Sequence, residues 1–342
     1  MNHLITGGSG FLGNLIMRRL LHKGEKVKIL DIWKAKDHPA DVEFIHCDIK
    51  DRNGVNKAMK DVDIVHHNVA LVPLTKSGKN FWDINVLGTQ IAAEEALKTG
   101  VQGFIHMSSS ALYGAVEKFP INDKTPLKPI EIYGEAKLAG EKILNSTLSN
   151  SSMPVIVIRP RTILGEGRLG IFQILFNWIK ENINVYVIGS GDVKFQFVHA
   201  HDLMDAYMLA FNQGKSGCYN VGTDKFGTLR QVLENLINYG GSTSRVKSLP
   251  VNFTINTLKI LDWSGLSPLA PWHYLTYHKE FYFDVNYLLS LGWTPKYSND
   301  KMFCESYDWY LKNYQSIKLD EKASAHRKPV KESILKLIKF FP

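Results

Sequence analysis

Residues 1–13 read Met1-Asn2-His3-Leu4-Ile5-Thr6-Gly7-Gly8-Ser9-Gly10-Phe11-Leu12-Gly13, an apolar run that breaks into glycines spaced G-x-x-G-x-x-G and then into the helical pattern of Phe11–Leu21. Glycine has no Cβ, so such a turn can be tight, and backbone N–H groups at the positive end of the following helix can approach a pyrophosphate. The same triplet also serves a plain tight turn with close helix packing, so its surroundings decide. The next strand-like run, Val27-Lys28-Ile29-Leu30-Asp31, ends in an acid. That carboxylate is placed to accept hydrogen bonds from both ribose hydroxyls and would repel a 2′-phosphate, which predicts NAD rather than NADP. Asp48, in His46-Cys47-Asp48-Ile49, is a candidate for holding the adenine amino group; a solvated loop aspartate fits the same pattern.

Outward from this unit, strand-like runs at 27–30, 44–45, 64–65, 104–107 and 155–158 alternate with helical stretches at 84–97 and 136–144. Repeated βαβ units of this kind predict an α/β fold: a doubly wound parallel sheet (Rossmann) with a smaller C-terminal substrate-binding domain. The expected division is 1–165 for the NAD-binding unit, with segments near 195–225 returning to it, 166–315 mainly for substrate, and 316–342 as a basic amphipathic tail. A helix near 203–211 and a short strand at 218–221 are expected in the returning segments. The stretch from Pro250 to Tyr282, rich in proline and aromatics (Trp263, Pro268, Pro271, Trp272, Tyr274, Tyr277), suits a loop closing over a ligand, and equally suits ordinary aromatic packing.

The chain has 342 residues, 44% apolar and 22% charged, enough for a sizeable core. Cys47, Cys218 and Cys304 stand far apart without a C-x-x-C pair, which predicts neither a disulfide framework nor a zinc site. No charged-then-apolar leader precedes the first strand and no apolar run is long enough to span a bilayer, so a cytoplasmic protein is expected. Of the formal net charge of +8, half lies after residue 317, where seven Lys/Arg face three Asp/Glu. A basic tail explains the excess, and without a reading motif no nucleic-acid partner is expected. Within that tail Ile334, Leu335, Ile338 and Phe341 fall at i, i+1, i+4 and i+7 with lysines mostly elsewhere, as in a helix lying on a membrane surface; 328–342 is the candidate for peripheral membrane contact, with docking on its own domain or disorder as the other readings.

The second constellation is Tyr133-Gly134-Glu135-Ala136-Lys137. On a helix the i and i+4 side chains share a face, so an ammonium there can lower the pKa of the phenol and bring it into range for acid–base work. Y-x-x-x-K alone is common. It gains weight from Ser108-Ser109-Ser110-Ala111-Leu112-Tyr113-Gly114, which follows the strand 104–107 and would end at the carboxyl edge of the sheet, where ligands bind in such folds.

Over about residues 2–312 the chain resembles the extended short-chain dehydrogenases/reductases, the NAD-dependent epimerase/dehydratase group. The resemblance rests on T-G-G-S-G-F-L-G, Asp31, D-I-V-H-H-N-V-A (63–70), N-V-L-G-T (85–89), S-S-S-A-L-Y-G, Y-G-E-A-K, R-P (159–160), F-V-H-A-H-D-L (197–203) and L-G-W-T-P (291–295). It implies catalytic roles for Ser109, Tyr133 and Lys137. It implies cofactor contacts from Gly7, Gly10, Phe11, Leu12, Gly13, Asp31, Asp48, Ile49, Ala70, Asn85, Tyr133 and Lys137, with Asn85 beside the nicotinamide. Hydride transfer at a secondary alcohol follows, with Tyr133 moving the hydroxyl proton and Ser109 polarising that oxygen; homodimers through the helices bearing Asn85 and Tyr133 are frequent in the group.

The departures matter as much. Where dehydratases of the group carry an Asp-Glu pair, this chain has Ser110 and Ala111, which points away from sugar dehydration. The asparagine and arginine that commonly hold the nucleotide in epimerases are Thr162 and Phe195 here; Arg161, Arg168 or Lys194 could grip a phosphate instead. Ser110, Arg161, Thr162, Arg168, Phe195 and His199 are therefore the substrate-side candidates. His199 and Asp202 read as structural or substrate-side hydrogen-bonders, and no metal is expected. The expectation is a sugar-nucleotide epimerase or dehydrogenase. The alternatives are a 3β-hydroxysteroid dehydrogenase-like enzyme on an apolar or lipid-linked alcohol, suggested by R-P-R-T-I-L-G-E-G, and a non-catalytic NAD-binding regulator.

Overall fold

A computed structural model describes residues 1–72, 80–264, 267 and 269–319. The first half alternates as the sequence predicts: β1 (Asn2–Thr6), α1 (Phe11–His22), β2 (Lys26–Asp31), β3 (Glu43–His46), α2 (Arg52–Ala58), β4 (Ile64–His67), α3 (Asn80–Trp82), one π-helical turn at Asp83–Leu87, α4 (Gly88–Thr99), β5 (Gly103–Met107), α5 (Ile132–Leu148) and β6 (Val155–Pro160). Then follow β7 (Thr162–Leu164), α6 (Phe172–Lys180), β8 (Val185–Ile188), β9 (Phe197–His199), α7 (Ala200–Asn212), β10 (Gly217–Val221), α8 (Leu229–Tyr239), β11 (Val246–Leu249), α9 (Val251–Trp263), α10 (Pro271–Thr276), α11 (Asn286–Ser290) and α12 (Asn299–Leu319). Of the expected tail, only 316–319 lie among the described residues, as the end of α12; the membrane-contact segment 328–342 lies outside them.

The main sheet has seven strands in the order β10-β6-β5-β4-β1-β2-β3, all parallel. Strands covered on both faces read as nearly continuous apolar runs, and their alternate residues serve opposite layers. Leu4, Leu30, Val65, Phe104 and Val157 pack into one core with residues of α2, α4 and α5, while their neighbours Ile5, Ile29, Ile64, Ile105 and Ile156 enter the other, larger core. The strand order reverses between β1 and β4, which opens a crevice at their carboxyl ends. Within the expected returning segments, β10 joins the main sheet beside β6, whereas β9 pairs with β7 in a separate two-stranded sheet.

The remaining segments assemble around an aromatic cluster. Phe172, Phe197 and Phe303 meet edge to face at centroid distances of 5.0–5.5 Å, fixing α6, β9 and α12 to one another. One expectation is corrected here: 250–282 is mostly helical rather than a loop. Pro250 precedes the first residue of α9 and Pro271 stands in the first turn of α10, positions where a missing N–H costs nothing, so these prolines start helices.

Candidate active site

A cleft of about 480 Å³ opens at the carboxyl ends of β1 to β6. Gly7, with φ +69°, begins the turn after β1; a Cβ there would come within 2.7 Å of the Val69 backbone. Gly10 is the N-cap of α1 and brings no side-chain cap, so a helix N-terminus faces the cleft without a side-chain partner. Gly13 does not line the cleft. A Cβ on it would lie 2.3 Å from the Gly7 carbonyl oxygen, so it is the glycine that lets the helix close on the turn.

Asp31, at the end of β2, is buried but oriented by the backbone: Oδ2 accepts from Ser9 N at 3.0 Å and Oδ1 from Ile32 N at 2.8 Å. Burial raises its pKa against the opposing pull of those N–H donors. Asp48 and Ile49 lie farther along the same wall, where Asp48 Oδ1 accepts from Lys50 N at 2.9 Å. Phe11, Leu12 and Ala70 also line the cleft. The glycine turn, the uncapped helix and the acid beyond it fit a dinucleotide: the cradle is one that side chains would fill, and the carboxylate stands at the ribose end.

At the other end are the hydroxyls. Glu131 caps α5 by accepting from Tyr133 N at 2.9 Å and Gly134 N at 2.7 Å, which sets the first turn of the helix against the strand-end segment Ser108–Ala111. Tyr133 and Ser109 both line the cleft, close enough for the serine hydroxyl to pull the pKa of the phenol down against the effect of burial. Lys137, one turn on, is buried and donates from Nζ to the Met107 carbonyl at 2.9 Å.

The family model for the "NAD dependent epimerase/dehydratase family" matches residues 3–222. The chain belongs to that family. A relative from Sinorhizobium fredii, the uncharacterized protein y4nG, is 40% identical over 338 residues, covering 98% of this chain and 85% of the relative. Mouse dTDP-D-glucose 4,6-dehydratase is 24% identical over 339 residues, covering 94% and 91%. Among solved structures, UDP-glucose 4-epimerase from Thermotoga maritima, with UDP-glucose, superposes with a TM-score of 0.77 at 22% identity, covering 92% of this chain and all of that one, 100%. NAD is the cofactor of the epimerase/dehydratase family, and the glycine turn and Asp31 described above are where this member would hold it.

Against the family pattern several side chains take unexpected positions. Tyr133 is not acidified in this structure: burial pushes the phenol up to about 12, with Ser109 and Arg168 partly opposing. The sequence assigned that lowering to Lys137, but its ammonium is turned to a carbonyl, and burial brings Lys137 itself down to about 8. Arg168, lying 5.4 Å over the Phe11 ring, is the cation that acts on the phenol. Asn85 stands behind the wall rather than in the cleft. It sits in the π-helical turn, with Oδ1 accepting from Leu71 N at 2.9 Å and Nδ2 donating to Leu71 O at 3.1 Å, so it pins the Ala70–Val72 wall.

Ser110, Arg161, Thr162 and Arg168 line the cleft; Phe195 and His199 do not. Phe195 lies beneath, its ring 4.9 Å from the Arg161 guanidinium carbon. His199 is buried, pairs with Glu305 at 2.9 Å and stacks on Tyr297 at 3.6 Å, and burial holds it neutral, down to about 4. Asp202 accepts from the backbone N–H groups of Lys296 and Tyr297, which makes it a clamp on the chain before α12. The sequence reading missed Trp33, which follows Asp31 along the wall, and His273 on α10. Trp272 and Tyr277 line the cleft from the aromatic stretch, which therefore reaches the site as helix. No three His, Cys, Asp or Glu among the described residues gather as a metal site.

Proposed function

We propose that this chain transfers hydride between a secondary alcohol of a sugar nucleotide and NAD, as an epimerase or dehydrogenase. The observation that carries the reading is the Ser109–Tyr133 hydroxyl pair in the same cleft as the glycine turn and Asp31. The cofactor supplies the hydride acceptor at its nicotinamide ring. Gly7, Gly10 and Asp31 would hold its diphosphate and ribose, while Met107 to Ala111 and Tyr133 surround the position of the reacting carbon.

Tyr133 takes or gives the proton of the substrate hydroxyl, and Ser109 shares that oxygen. With its pKa near 12 the phenol carries its proton at neutral pH, ready to donate in the reducing direction. In the oxidising direction it must first release that proton, which Arg168 and Ser109 favour. Ser110 and Ala111 offer neither acid nor base where a water molecule would have to be eliminated, which supports epimerisation or oxidation over dehydration even though dehydratases stand among the relatives. Tyr133→Phe is expected to abolish turnover, by at least about a hundredfold, while NAD binding measured by calorimetry stays within about threefold; undiminished turnover on every alcohol tested would refute the assignment.

A second reading, an apolar or lipid-linked alcohol, is favoured by α9, which has no buried residue and leaves Phe253, Ile260 and Trp263 exposed at 73%, 66% and 91%. The Tyr133→Phe comparison is therefore run on both nucleotide sugars and sterol-like alcohols. No described helix is long and apolar enough to cross a membrane. We also propose that two copies pair through the outer faces of α4 and α5 and the π-helical turn before α4, where Leu97, Ile132 and Leu87 stay 39–41% exposed.

A further inference from the structure

Arg161 heads the largest fully buried side chains, at 1% exposure. Its guanidinium is held on three sides. Nε donates to the Gln196 carbonyl at 3.0 Å, Nη1 donates to Ser110 Oγ at 3.0 Å, and the Phe281 and Phe195 rings lie 4.0 and 4.9 Å from its central carbon. Nη2 has no partner, and the side chain lines the cleft.

The contrast with Arg159, on the same strand end, is instructive. Arg159 is matched to Glu141 by two hydrogen bonds, at 2.5 and 3.0 Å, and its charge is accounted for inside the protein. No carboxylate faces Arg161 among the described residues; the one group that supports its charge is the Tyr277 phenol, and burial lowers it to about 9, still protonated at neutral pH. A buried cation without an anion is costly, and ring faces offset only part of that cost. An anion arriving in the cleft would complete the set.

Position decides which anion. Ser110 follows Ser109, which lines the cleft together with Tyr133, so Arg161, bonded to Ser110, lies at the hydroxyl end of the cleft rather than toward the glycine turn. Ser110 Oγ already accepts from Arg161, which leaves its own proton to donate. A carboxylate there would take one hydrogen bond from Arg161 Nη2 and one from Ser110.

We propose that the sugar ring acted on carries a carboxylate, bound by Arg161 and Ser110, so that the substrate class is a nucleotide-linked hexuronic acid rather than a neutral nucleotide-linked hexose. This rests on the sugar-nucleotide reading above. The alternative source of the anion is the nucleotide's diphosphate. The test uses the full chain loaded with NAD, and UDP- and dTDP-linked glucuronate, the matching glucose compounds, and the free nucleoside diphosphates, read by calorimetry and by steady-state kinetics. The wild type is expected to favour the glucuronate form by at least about 30-fold, in affinity and in kcat/KM. Arg161→Met should erase that preference mainly through KM, leave free nucleoside diphosphate binding within about threefold, and be partly restored in Arg161→Lys. Equal wild-type affinity for the two sugars would overturn the proposal, as would an Arg161→Met variant that loses glucuronate and nucleoside diphosphate alike, which would place the diphosphate at Arg161. Because Arg161 is buried, Ser110→Ala provides a second variant: about fivefold weaker binding of glucuronate alone is expected, and an equal loss for glucose counts against the proposal. Oxidation of the glucose compound with no preference for glucuronate defeats this proposal only; no hydride transfer to any alcohol defeats the parent reading.

Discussion

Asp31 carries two burdens that a single side chain rarely shares. It ties the glycine turn to β2 through Ser9 N, and it presents a carboxylate to the cleft wall. Asp31→Asn keeps the shape and one acceptor but removes the charge. The expected outcome is about a tenfold rise in the Kd for NAD, from loss of part of a charge-assisted hydrogen bond, with a smaller change for NADP, so that the ratio of the two constants narrows; equal changes for both would show that the carboxylate does not select the cofactor. At this scale the sequence was informative where a residue's place depends on near neighbours, as with the glycine turn after β1; even there the expected action of Lys137 on the Tyr133 phenol is not found, because the ammonium turns to the Met107 carbonyl. It was silent where the job depends on distant partners. The empty valence of Arg161 is visible only once Gln196, Phe281 and Ser110 are brought to it from elsewhere in the chain, and His199 moved from the substrate side to the core because Glu305 and Tyr297 claim it.

At the scale of elements, the central strands hold more than apolar side chains. His3, His66, His67 and His106 are buried in β1, β4 and β5, linked by His3 Nδ1 to His66 Nε2 at 2.9 Å and His67 Nε2 to Thr89 Oγ1 at 3.0 Å, with His67 stacked on His106 at 5.4 Å. Burial holds all four below the usual histidine range, His67 down to about 3. The unfolded chain takes up these protons near pH 6.5 while the folded one does not. Stability is therefore fully present above about pH 6.5 and is lost as pH falls below it. For His67 that loss approaches about 1.4 kcal/mol per pH unit between pH 6.5 and its folded value of about 3. Urea unfolding between pH 7 and pH 5 should show the midpoint dropping steeply, and His67→Asn, which keeps a polar partner for Thr89, should flatten the slope; a midpoint independent of pH would contradict the arrangement. The βαβ rhythm was legible in the sequence because period and length survive without tertiary context. The helices α9 and α10 were not, since proline and aromatic residues mark a helix start and a loop equally well until packing is known.

At the scale of the molecule, the faces of α4 and α5 turned away from the sheet keep Leu97 and Ile132 partly in water, each at 39%. If two copies meet there, Leu97→Glu buries a charge in the seam. Sedimentation at micromolar concentration is expected to give a dimer for the wild type and a monomer for the variant, with unchanged thermal unfolding of each folded subunit; a wild-type monomer would remove the pairing.

The strand that completes the main sheet, β10, is supplied from beyond β7, α6 and α7. During synthesis the β6 edge therefore remains an open seam, the kind of edge that invites foreign pairing, until residues 217–221 leave the ribosome. The cofactor half, built from β1 to β5, can take shape early in translation, but Arg161 gains its Gln196 contact and its Phe281 ring only from later segments. Assembly order thus mirrors chemical order: the place for the common redox partner comes first, and the Arg161 pocket proposed to tell one sugar from another is finished last.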